Sequence, residues 1–195
     1  MNRSFAVTPA RLAIAAALVT GLAGCGKVAD KLGEKAVEKA AEAAIEASIN
    51  KDGAKIKVDM SEGTGKMSGV DEKGRPMLME MGGAKLGEAE LKMPFYPGAT
   101  PLEHKSNRML VDGRWLMQIE FDSKDKAAVV AEWYLARLKD RMGAGSVMMN
   151  RGEGGTLTLM ISDPAKDTMF MVDVKGGDEG SQIVLQHGFK EEGKT

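Results

Sequence analysis

The sequence predicts an α+β protein: an N-terminal helix and a small β-meander, then an antiparallel sheet packed by one helix in the order β-β-α-β-β-β-β. Three observations predict this. Trp115, Met117, Ile119 and Phe121 alternate with Leu116, Gln118, Glu120 and Asp122, the period-two pattern of a half-buried strand. Ala127, Val130, Ala131, Tyr134, Leu135, Leu138 and Met142 then fall at helical spacing, with Ser123 placed to cap the segment and Gly143 to end it. Four further strand-like runs follow, divided by Gly152-Glu153-Gly154-Gly155, Asp163-Pro164 and the 176–180 turn.

Residues 1–24 have the layout of a secretory signal. Arg3 and Arg11 open it, and Leu12 to Leu22 form an apolar run of 11 residues. A helix needs ~20 residues to span a bilayer, so the run reads as a segment to be removed. It ends on Leu22-Ala23-Gly24-Cys25, and Cys25 is the chain's only cysteine. These four residues resemble the lipobox of bacterial lipoproteins. The resemblance implies a diacylglyceryl group on the Cys25 sulfur, cleavage before Cys25 and acylation of the new amino terminus. The alternatives are an ordinary signal cut beside a free thiol, and an uncleaved anchor. A free thiol at an exported terminus invites oxidation, which favours lipidation. Gly26 stands where an inner-membrane retention signal of Gram-negative lipoproteins carries Asp, so the resemblance points to the outer membrane, periplasmic face. No second cysteine exists for an internal disulfide.

Residues 25–50 read as the lipidated cysteine and a tether helix. Lys27 to Ser48 is built from Ala, Glu and Lys, strong helix formers. Ala29, Ala36, Val37, Ala40, Ala44 and Ala47 share one face. Glu34, Glu38, Glu42 and Glu46 form a column opposite it, with lysines at i,i+3 spacing. The helix reads either as a spacer or as a partner-docking element using its alanine face. Residues 51–90 read as a small meander and a linker. Ile56, Val58 and Met60 alternate, as do Met77, Met79 and Met81, and the linker runs from Gly82 to Lys92. Residues 91–189 hold the α+β domain, whose first two strands turn at Asp112-Gly113. Residues 190–195 form a polar tail.

Tyr96-Pro97-Gly98-Ala99 leads into a strand, and Ala131-Glu132-Trp133-Tyr134-Leu135 with Leu138 precedes Gly143. Together with the Ala/Glu/Lys helix after Cys25, these residues resemble a group of Gram-negative exported lipoproteins in which a "YPGA" turn opens a small α+β domain. Where that group carries a second aromatic after the helix-ending glycine, this chain has Ala144-Gly145-Ser146. The resemblance implies a fold and an address, and no chemistry.

Without Arg3 and Arg11 the 27 basic side chains fall to 25 against 28 acids, a formal charge of −3, with no polybasic block to suggest nucleic acid. The two histidines, His104 and His187, sit in separate strand candidates. No nucleophile elbow, zincin helix, P-loop or calcium loop occurs, so the sequence calls for no catalytic residue and no cofactor. The 15 methionines allow two readings. Met77, Met79 and Met81 on one strand and Met169 and Met171 on another present thioethers that suit Cu(I), provided the two rows face each other. Otherwise methionine fills an irregular core. The function expected is therefore a lipid-anchored, non-enzymatic interaction module with an envelope protein partner. The alternative is a small-molecule or Cu(I) binder using a helix–sheet pocket or the methionine rows.

Overall fold

The computed structural model describes residues 31–61, 63–143 and 145–191. The signal peptide, the lipobox and Cys25 lie outside the described residues. Residues 37–195 form one compact unit; in the other unit, residues 1–36, the described part is the helical start Lys31–Ala36.

The elements are helix α1 (Lys31–Ile49), strands β1 (Lys55–Ser61), β2 (Thr64–Val70) and β3 (Pro76–Met81), helix α2 (Glu88–Leu91), and strands β4 (Thr100–Val111) and β5 (Arg114–Ser123). Helices α3 (Ala127–Arg137) and α4 (Lys139–Met142) follow, then β6 (Ser146–Arg151), β7 (Leu157–Asp163), β8 (Thr168–Gly177) and β9 (Gly180–Lys190). All nine strands pair antiparallel in one sheet of order β1-β2-β3-β4-β5-β9-β8-β7-β6. Two meanders thus meet at the β5–β9 pair, and α3 carries the chain from the middle of the sheet to its far edge. The protein is α+β and mostly β.

The meander, too small in the sequence to stand alone, continues into the rest of the sheet. β3 pairs with β4 through Leu78–Leu110, Met79–Met109 and Glu80–Arg108. A two- or three-stranded piece is marginal alone, and edge pairing with a larger sheet removes that weakness. The expected linker is a packed strap: Ala84, Leu86, Leu91 and Met93 are all buried in the core. Its apolar residues come in short pairs with no sustained period, so they leave no strand or helix signature. Tyr96 to Ala99 closes a turn by an Ala99 N–H bond to the Tyr96 carbonyl, with Pro97 second and Gly98 at φ 78° third, the residues a type II turn requires.

Strand β5 has the expected alternation: Met117, Ile119 and Phe121 are buried and Leu116 is exposed. Asp112 and Gly113 both have positive φ, as a type I′ hairpin turn needs. Ser123 does not cap the helix. It ends β5, and its Oγ accepts from the Asp125 N–H in a tight turn, so that α3 starts at Ala127. Nor is the helix continuous to Met142, because Leu138 leaves helical geometry and separates α3 from α4. Ala127, Val130, Ala131, Tyr134 and Leu138 pack on Leu157, Leu159, Val172, Val174, Ile183 and Leu185 of the sheet.

Side-chain alternation gives the sheet a second face. Met67, Met79, Met109 and Leu116 stand in one cross-strand row there, and Met148, Met160 and Met171 in another. Glu120 and Gln118 sit at its centre and accept from Gln182 and Gln186. Of the described methionines only Met93 and Met117 are buried in the core, so methionine is mainly a residue of this half-exposed face rather than a core filler.

Candidate functional site

A cavity of about 600 Å³ opens between α4 and the sheet. Its floor comes from strand register. Trp115, Phe189 and Thr168 stand side by side on β5, β9 and β8, and His187, Phe170 and Ile161 stand in the next row. Apolar alternation on these strands puts all six on the side of the sheet that the helices cover. Lys92 comes from the strap and Arg141 from α4, while Lys166 and Lys190 lie at the strand ends. Asp163 and Glu191 supply the carboxylates.

The aromatic rings order this floor. His187 is buried between Phe170 and Phe189, with ring centroids at 4.5 Å and 4.7 Å. Its Nδ1 lies 3.3 Å from the Glu90 carbonyl, which can only accept, so Nδ1 carries the proton. Nε2 is then free to accept from the Thr168 hydroxyl at 3.1 Å. Burial pushes the His187 imidazole down to about 4, helped by Lys92 and Arg141 and opposed by the bond to Glu90. The ring is thus neutral at physiological pH, buried behind the Phe170 and Phe189 rings that line the cavity.

Two cations lie over aromatic faces: Arg141 at 4.5 Å from the Phe170 centroid and Lys92 at 5.4 Å from that of Phe189. Desolvation lowers the Arg141 pKa, and its Nη1 is screened from solvent without a hydrogen-bond partner among the described residues. Asp163 is already engaged. It accepts from the backbone N–H groups of Ala165 and Lys166 and pairs with Lys166 Nζ at 3.3 Å. Lys92, Arg141 and Lys190 have no carboxylate at ion-pair distance among the described residues.

The sequence-predicted residues fall elsewhere. Cys25, Leu22, Ala23 and Gly24 are outside the described residues. Met77, Met79 and Met81 are on β3, Met169 and Met171 on β8. Both rows point to the same face, but β4, β5 and β9 lie between them, a separation of about 19 Å at ordinary strand spacing. They do not face each other, and no single ion can bridge them. Among the described residues no three His, Cys, Asp or Glu side chains converge as metal ligands. His104, at φ 55° in the irregular part of β4, is remote in register from His187 on β9.

The α1 helix is turned opposite to its apparent amphipathicity. Met60 N–H donates to Glu42 at 2.7 Å, Val58 N–H to Glu46 at 2.7 Å, and Ile56 N–H to Asn50 Oδ1 at 2.8 Å. Glu42 and Glu46 therefore face the edge of β1, and Ala40, Ala44, Ala47 and Val37 point outward, with Val37 54% exposed. Among the described residues no helix is long and apolar enough to cross a membrane.

No residue lining the cavity is a functional candidate in the sequence, and His187, which is, lies buried behind Phe170 and Phe189. Four cations spread from residue 92 to residue 190 have no spacing in common, and only the folded strap, α4 and strand ends gather them. The chain matches no protein-family model, no curated protein and no solved structure.

Proposed function

We propose that this chain is an exported lipoprotein, tethered through acyl groups on Cys25 to the periplasmic face of the outer membrane, and that it works without catalysis by holding a small molecule in the α4–sheet cavity. The observation that carries this reading is the cavity itself: at about 600 Å³ it has the size of a ligand site, with aromatic walls and a few convergent polar groups. The β-β-α-β-β-β-β portion supplies the wall and α4 the rim, while the lipobox resemblance supplies the address. Full-length protein purified from envelopes is the material for the test. Small molecules extracted from it should include a species enriched over an Ile161→Trp variant that fills the cavity. Cys25→Ala should leave the membrane fraction. Equal extracts from both proteins would remove the binding reading, and membrane retention of the Cys25→Ala protein would remove the tether.

A second reading is favoured by one observation. The outward alanine face of α1 is exposed while its polar column is occupied by β1, so the helix has a side free for an envelope protein partner. In-cell cross-linking from position 40 or 44 tests it: a specific adduct is expected, and its absence from the full-length, membrane-bound protein would exclude this contact.

A further inference from the structure

We infer that the α4–sheet cavity is a site for an organic anion, a carboxylate, sulfonate or phosphate joined to a flat ring or short apolar chain, with Arg141 as its principal anchor. The inference rests on the binding reading above and specifies the ligand's chemistry.

Charge is the first support. The cavity is lined by Lys92, Arg141, Lys166 and Lys190 against Asp163 and Glu191. Asp163 is consumed by Lys166 and by two backbone amides. Three cations are left around one carboxylate, and like charges gathered in a concave, partly dry space focus a positive potential.

Arg141 is the second. Its guanidinium lies over the Phe170 ring at 4.5 Å and is part of the cavity lining. Nη1 is shielded from water and unpartnered among the described residues. Arg141 lines the cavity with no carboxylate at ion-pair distance among the described residues, so an anion delivered there meets an uncompensated charge and forms a charge-assisted bond.

The walls are the third. Trp115, Phe189 and Ile161 bury apolar surface beside the cations. An inorganic ion would leave them unused, whereas a ring or short chain would cover them. His187 fits the same scheme. It is buried behind Phe170 and Phe189 and held by Glu90 and Thr168, so it backs two of the cavity's rings without adding a proton-dependent charge.

The test uses the full chain in phosphatidylcholine nanodiscs, with empty nanodiscs as the blank, titrated calorimetrically. The probes are naphthalene-1-sulfonate, the neutral 1-naphthalenemethanol, the cationic 1-naphthylmethylammonium and inorganic sulfate. The sulfonate should bind at least about tenfold more tightly than each of the other three, the scale of one charge-assisted contact. Arg141→Gln should remove that preference, and Lys190→Gln, at the exposed end of β9, should weaken it in a protein whose core is untouched. Equal binding of sulfonate and alcohol would overturn the anion assignment and leave the small-molecule reading standing. Preference for the ammonium probe would do the same. Equal binding of bare sulfate would overturn the apolar half of the assignment. Sulfonate binding unchanged in both variants would overturn the site. No binding of any probe at millimolar concentration would overturn this inference and the binding reading together.

Discussion

His187 has a folded-state pKa of about 4 against an ordinary value near 6.5, because burial penalises the imidazolium and Lys92 and Arg141 repel it. As pH falls, the unfolded chain takes up the proton first. The contribution of the neutral ring to stability is therefore complete above about pH 6.5 and drains away until about pH 4. The urea midpoint should fall across that window and fall less in His187→Phe, which keeps the stack with Phe170 and Phe189. Equal slopes in both proteins would contradict this account. Glu42 and Asp71 act lower on the scale. Lys39 and the Met60 N–H hold the first below the usual carboxylate range, and Arg75 with its backbone N–H holds the second, so their contributions go as pH falls below about 4. Asn50 carries no charge but bridges both backbone groups of Ile56, Oδ1 accepting from its N–H and Nδ2 donating to its carbonyl. Asn50→Ala should cost about 1–3 kcal/mol in chemical denaturation, the range for leaving polar partners unmet.

At the scale of elements, helix α1 and strand β1 solve a problem of exposed edges. An edge strand offers alternate amides to any passing chain, and native sheets blunt such edges. Residues four apart on a helix rise about 6 Å, and residues two apart on a strand about 6.6–6.8 Å. Glu42, Glu46 and Asn50 therefore meet Met60, Val58 and Ile56 in step. A double Glu42→Ala, Glu46→Ala variant should lose hydrogen-exchange protection at Met60 and Val58 before any change at β5 or β9. The helix itself was readable from Ala, Glu and Lys content, but its orientation was not. A helical wheel ranks polarity and contains no information about unpaired amides on a neighbouring strand. The strand β5 was readable because its two faces meet different surroundings, buried helix on one side and half-exposed glutamines on the other. The helix start was misplaced from 123 to 127 because Ser123 serves a turn and Ser181 Oγ reaches the Asp125 carbonyl, contacts that only the sheet brings together. Gly155 shows how closely α3 approaches the β6–β7 turn. It has φ 82°, and a Cβ there would lie 2.5 Å from the backbone N of Ala128. Gly155→Ala should destabilise by about 1–3 kcal/mol, from left-handed strain together with the displaced helix start. A neutral result would mean that α3 can shift freely.

Over the whole molecule the nine strands are unevenly joined. β5 and β9 share ten registered pairs, from Arg114–Lys190 to Ser123–Ser181, while β3 and β4 share three. The large core lies around β5, β7, β8 and β9 under α3, and the β2–β4 region is held on the same side by a polar chain instead: Lys66 to Glu80 at 3.0 Å, Glu80 to Arg108 Nε at 2.9 Å, and Arg108 over Trp115 at 5.9 Å. Burial opposes ionisation of Glu80, yet Lys66 and Arg108 outweigh it and hold its pKa below the usual range. A sheet built this way has a seam. Removing the ion chain should let β1–β3 detach while the β5–β9 core stays folded, a sub-global opening rather than a loss of the fold. In native-state hydrogen exchange, amides of Met67 and Met79 should open at lower free energy than those of Ile119 and Leu185. Arg108→Ala should widen that difference, since it strips Glu80 of one partner and Trp115 of its cation. The sequence reads residues 51–90 as a small meander and linker that cannot stand alone, and the seam is where that meander leans on the larger sheet. The segment is joined by three registered pairs, two apolar and one charged, where β5 and β9 share ten pairs over the large apolar core. Uniform exchange across all nine strands, unchanged in Arg108→Ala, would show instead that three registered pairs suffice to make the sheet one cooperative unit.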